Sequence, residues 1–102
     1  MICVLFDKWG LTEQEGCEIL GCTLGEYQVL KTGEDEGVEA KVKERITEVS
    51  RINKGLRLLF KDPKRGEAWV KKPNKAFEGR SAFEIMKSDL VRVRKYLEAE
   101  LW

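Results

Sequence analysis

The sequence predicts an all-α fold, and three observations predict it. Val38, Val42, Ile46, Val49, Ile52, Leu56, Leu59 and Phe60 follow steps of three and four, the spacing of one helix face. Thr12-x-x-Glu15, Thr23-x-x-Glu26 and Ser81-x-x-Glu84 have the form of a capping box. In that box the hydroxyl accepts the N3 amide and the carboxylate reaches back to the cap amide. No run alternates apolar and polar residues as a half-buried strand does, and there is no Asn-Gly hairpin.

Residues 11–33, LTEQEGCEILGCTLGEYQVLKTG, hold the first two capped starts. The small Cys17 lies four residues before Gly21, Tyr27 lies six after it and Leu30 nine after. Two helices crossing steeply need a small residue where they touch, a glycine at the turn and an apolar plug on the second helix. This is the spacing of a helix-turn-helix, and a plain helical hairpin with the same caps would share it. The second helix would turn Leu24, Gly25, Glu26, Gln28 and Lys31 outward, a weak set for reading a DNA groove. Thr23, Gln28 and Lys31 are the candidate DNA contacts.

The loop GEDEG, residues 33–37, is followed by one long helix over about 38–60. Gly55 inside it costs about 1 kcal/mol relative to alanine, which close packing against another helix would offset. Asp62-Pro63 ends the helix, because proline disfavours the helical region for its predecessor. Next comes AWVKKPNKAFEGRSAFEIM, residues 68–86. Pro73 ends the helix bearing Trp69, Gly79 permits a turn and Ser81 starts a new helix, so the break is a built corner. Asn74 is a turn residue first, able to bond nearby backbone amides. Leu90, Val93, Leu97 and Leu101 space the last helix. Six or seven helices are expected, with the N-terminal pair packed on the long central one. Leu56, Leu59, Phe60, Trp69, Phe77, Phe83, Ile85 and Met86 are expected to fill much of the core.

A chain of 102 residues fits one compact unit. Within it, three regions are expected: 1–36, 37–60 and 61–102. Net charge is only +1, but residues 1–50 hold 5 Lys/Arg against 11 Asp/Glu, while residues 51–102 hold 14 against 7. The halves should attract each other, and the second should attract an anionic partner. Cys3, Cys17 and Cys22 form no CxxC pair and are odd in number, which suits free thiols in a reducing cytosol. MICVLF is too short for a signal core or a membrane span, so a cytoplasmic protein is expected. There is no histidine, P-loop, GxGxxG or metal-ligand spacing. An enzyme is therefore not expected, nor any cofactor or metal. Glu13, Glu15 and Glu18 fit a solvated acidic face better than a catalytic one.

RLLFKDPKRGEAWVKKPNKAFEGRSAFEIM, residues 57–86, resembles the toxin-binding domain of the Xre/MbcA/ParS antitoxin family. That pattern runs from a leucine-rich helix ending in Phe through an Asp-containing break, a Trp, Pro-Asn and Gly-Arg-Ser to a short apolar helix. Val93-Arg94-Lys95-Tyr96-Leu97 resembles the family's last helix, and residues 9–33 resemble its helix-turn-helix half. Trp69, Pro73-Asn74 and Gly79-Arg80-Ser81 are the most specific part. The resemblance implies an antitoxin of a two-gene module whose partner is a RES-domain toxin that consumes NAD. It implies that residues 61–102 bind the toxin and obstruct its NAD cleft, and that the protein dimerises and represses its own promoter. By that resemblance Trp69, Asn74 and Arg80 shape the binding corner, and Arg92, Lys95, Tyr96 and Trp102 face the toxin. Two departures concern DNA: Met1 falls where the family has further residues before its first helix, and the second helix lacks the family's arginines. A stand-alone helix-turn-helix transcription regulator is the alternative expectation.

Overall fold

A computed structural model describes residues 2–33 and 37–101. Most of the predicted loop 33–37, together with Met1 and Trp102, lies outside the described residues. Those described form seven α-helices: α1 (Ile2–Lys8), α2 (Glu13–Leu20), α3 (Leu24–Lys31), α4 (Ala40–Leu59), α5 (Pro63–Trp69), α6 (Ala82–Met86) and α7 (Leu90–Leu101). A single 3-10 turn, Lys75–Phe77, separates α5 from α6. The all-α expectation holds, and the only strand-like pairing among the described residues is an isolated bridge between Pro73 and Ser81.

The helix starts follow the caps. Thr12 and Thr23 each complete both arms of the box, with Glu15 N and Glu26 N 3.1 Å from the hydroxyls and the return bonds at 2.9 Å. The bond from the Thr12 amide, aided by Lys71, holds the Glu15 carboxyl below the ordinary range. Ser81 completes one arm only. Its hydroxyl accepts Glu84 N at 3.2 Å, while the Glu84 carboxylate turns to Lys87, also 3.2 Å away. A full charge one helical turn on outcompetes a neutral amide. Asp62 caps α5 by accepting Lys64 N at 3.0 Å, and Pro63 takes the first helical position, where its missing N–H costs nothing.

α2 ends on Gly21 at φ +67°, with Gly21 N and Cys22 N both donating to Cys17 O. The spacing argument assigned the small contact residue to Cys17. Cys17 is buried, but the tightest approach is one residue earlier. A Cβ on Gly16 would come within 2.8 Å of both the Phe6 and Tyr27 rings. Neither ring has room to withdraw, since Phe6 is fully buried and Tyr27 nearly so. Gly16→Ala is therefore expected to destabilise the protein by about 1–3 kcal/mol despite alanine's better helix propensity. Urea titration checks this, and an unchanged or raised midpoint would refute it.

α4 is the axis of the molecule. Its buried Val42, Val49, Ile52, Gly55 and Leu56 receive α2, α5 and above all α7. A Cβ on Gly55 would stand 3.2 Å from Leu97 Cβ, so the bare glycine lets α7 pack closely on α4. The opposite charges of the two halves meet where they pack. Lys71 pairs with Glu15 at 3.1 Å, Lys87 with Glu18 at 3.7 Å and Arg94 with Glu48 at 2.5 Å. The first two pairs are well solvated and contribute about 0–1 kcal/mol each. Arg94, whose side chain is 18% exposed and which also reaches Glu98, is the firmest of the three.

Candidate functional site

The corner at residues 70–83 is rigid for local reasons. Asn74 Oδ1 accepts Ala76 N at 2.9 Å, and Asn74 O accepts both Phe77 N and Gly79 N at 3.0 Å. Asn74 N donates to Arg80 O at 3.1 Å, closing the loop on itself. Phe83 N donates to Val70 O at 2.9 Å, tying α6 to the end of α5. Glu78 and Gly79 both adopt positive φ, +55° and +81°. Glycine accepts this freely, whereas Glu78 is held there by its surroundings.

Those surroundings are aromatic and cationic. Phe77 points inward, 1% exposed, between Trp69 (centroids 6.2 Å apart) and Tyr96 (5.2 Å), edge-on to both. Trp69 and Tyr96 lie nearly parallel, 5° between planes and 6.1 Å between centroids. Edge-to-face and offset-parallel pairs at these separations add about 0.5–1.5 kcal/mol each beyond area burial. Arg92 sits 5.4 Å over the Phe77 ring and bonds the Glu78 carboxylate at 3.0 Å. Its second bond, 3.4 Å to Ala76 O, fastens the 3-10 turn to α7.

Of the residues expected to bind the toxin, the structure therefore gathers Trp69, Asn74, Arg92 and Tyr96 around Phe77, all four half-buried. Arg80 and Lys95 are exposed, Arg80 on the loop's return strand and Lys95 next to Tyr96 on α7. Trp102 lies outside the described residues. Sequence reasoning put Phe77 in the core without seeing it as the centre of the corner, and it missed Glu78 altogether. The signal available was Phe-Glu-Gly-Arg: a residue before glycine in a tight turn, one helix away from an arginine.

The three candidate DNA contacts are occupied differently. Thr23 caps α3. Gln28 and Lys31 both reach back to Glu13 on α2, Lys31 at 2.6 Å and Gln28 at 3.2 Å. The Lys31 ammonium and the Gln28 amide hold the Glu13 carboxyl below the ordinary range. These bonds lace α2 to α3. All three cysteines are free thiols, and burial pushes their pKa values up, Cys22 to about 12. Thiolate chemistry is thereby suppressed. Among the described residues no helix is long and apolar enough to cross a membrane.

Comparison with known proteins agrees with this geometry. Residues 55–102 match the family described as the antitoxin Xre/MbcA/ParS C-terminal toxin-binding domain. The match begins at Gly55, where α4 meets α7, and contains the whole corner. An uncharacterized protein of Sinorhizobium fredii, y4oB, is 33% identical over 99 residues, spanning 92% of this chain and 76% of that protein. No solved structure matches. Through residues 55–102 the chain belongs to the Xre/MbcA/ParS antitoxin family, whose toxin-binding domain supports a role as the antitoxin in a toxin–antitoxin pair.

Proposed function

We propose that the protein neutralises a RES-domain, NAD-consuming toxin by seating the corner and α7 over the toxin's NAD cleft. The observation that carries this is the Phe77-centred cluster. It fixes loop 74–80 to α7 and so presents Arg80 and Lys95, with the edges of Trp69 and Tyr96, as one rigid surface. A pre-shaped surface loses little conformational freedom on binding, which favours tight occlusion. Half-buried aromatics rimmed by exposed cations also suit a protein interface. The test begins with the neighbouring gene: where it encodes a RES-type protein, the two are co-expressed. Cellular NAD should fall with the toxin alone and recover with both, and the two chains should copurify. Failure to copurify, or NAD loss undiminished by the second chain, would reject this reading.

Autorepression by a homodimer is the second part of the proposal, with Thr23, Gln28 and Lys31 near the operator. The two capped helices and the left-handed Gly21 turn support a helix-turn-helix here. The same feature supports the alternative of a stand-alone regulator, which predicts operator binding with no toxin partner. A shift assay on DNA upstream of the gene, with and without the toxin, separates the two.

A further inference from the structure

The cations of the second half fall into two sets. Arg51, Lys71, Lys87, Arg92 and Arg94 have carboxylate partners. Lys72, Lys75, Arg80 and Lys95 are exposed without one, and so are Lys54, Arg57, Lys61, Lys64 and Arg65: none of these nine has a carboxylate oxygen within 4.0 Å among the described residues. The last five are contiguous. Lys54 and Arg57, three apart, share the outer face of α4, Lys61 follows at the bend, and Lys64 and Arg65 open α5. Arg57 lines a groove of about 210 Å³ with Pro63 and with Lys8 of α1, which adds one cation to the row, while Glu67 adds one acid at the same groove. Asp62, the one acid in residues 54–65, is turned to the cap of α5.

Like charges three and four residues apart repel, so this ridge does not stabilise the helices that bear it. Its composition also discriminates between partners. Protein interfaces are poor in lysine and rich in aromatic side chains. Here three of five cations are lysines, and Leu58 is the only large apolar side chain of the stretch recorded as exposed. Flexible ammonium groups suit phosphate, which they meet as point charges. Meanwhile Gln28 and Lys31 are engaged by Glu13, so α3 has little charge of its own for a polyanion. α1 bridges the two regions, packing on α3 and lining the groove with α4 and α5.

We propose that the Lys54–Arg65 ridge is a sequence-independent contact surface for the phosphate backbone of duplex DNA. This rests on the autorepression reading and moves the phosphate contacts away from α3, onto the edge of the toxin-binding domain. The probe is a mixed-sequence duplex of about 30 base pairs, titrated by fluorescence anisotropy from about 50 to 200 mM salt. Each lost phosphate contact lowers the slope of log affinity against log salt by about 0.9. Lys61→Glu/Lys64→Glu/Arg65→Glu should flatten the slope by about 2.7 and weaken binding at low salt by tenfold or more, whereas Lys31→Glu should change the slope by about 1 at most. The milder Lys61→Gln/Lys64→Gln/Arg65→Gln should show the same flattening, with helicity unchanged by circular dichroism.

An unaltered slope in both triple variants overturns the proposal. So does polyglutamate that binds the wild-type chain as tightly as the duplex does, which would make an acidic protein the occupant. A wild-type chain that shifts its operator while the triple variants match it overturns the ridge alone. Absence of any DNA binding by the wild-type chain at low salt removes autorepression as well.

Discussion

Phe77→Ala is expected to lower the free energy of unfolding by about 3–5 kcal/mol, the range for deleting a fully buried phenylalanine. Typical domains have only about 5–15 kcal/mol to lose. The loss should exceed that at most core positions, because three partners depend on this ring. Trp69 and Tyr96 lose an edge-on neighbour, and Arg92 loses the surface over which it reaches Glu78. Loop 74–80 would then be fastened to α7 only by the solvated Arg92 bonds. Neutralisation should fail together with stability. Urea titration gives the first effect and toxin inhibition the second. Phe77→Leu should cost less than Phe77→Ala, because it keeps much of the buried volume while losing both edge-on pairs, and should restore part of the inhibition. A stable Phe77→Ala protein that still inhibits would show that the cluster does not organise the corner.

Arg80→Glu/Lys95→Glu should do the opposite: weaken toxin binding on the order of a hundredfold with stability unchanged within about 0.5 kcal/mol. Both side chains are exposed, so their reversal leaves the packing alone. Titration calorimetry against the purified toxin reads the affinity, and a thermal melt reads the stability. Intact binding would exclude this face as the interface. Deleting residues 96–102 is less discriminating. It removes Tyr96 from the aromatic cluster and the buried Leu97 that packs against Gly55.

Where the determinants are local, the sequence was legible. The capped starts at Thr12, Thr23 and Ser81 each depend on residues within one turn of one another, and all appear in the structure; α4 runs close to the length its apolar spacing predicts, and Asp62-Pro63 opens α5 just after α4 has ended at Leu59. The attraction between the halves was also visible as a charge balance and is realised at Lys71, Lys87 and Arg94. Contacts between distant residues were not legible. Gly16 rather than its neighbour Cys17 makes the closest approach because the Tyr27 ring, eleven residues on, happens to fill that space. Gln28 and Lys31 were read as facing outward, which they do, but their bonds to Glu13 depend on the crossing of α2 and α3. Phe-Glu-Gly-Arg marks the turn at Glu78, but its partner Arg92 is fixed only by the way α7 crosses above the turn.

The segment shared with the toxin-binding family starts inside α4, near its C-terminal end. Upstream of Gly55, α4 still contributes Val42, Val49 and Ile52 to the interior and Glu48 to Arg94. The C-terminal piece is thus not a detachable cassette. Gene fusion that swapped the amino-terminal portion of such a protein would have to cut before residue 40, or else rebuild a matching half-helix. Recombination between unrelated antitoxins should therefore leave its scars in the acidic segment 33–37 and spare the helix that follows.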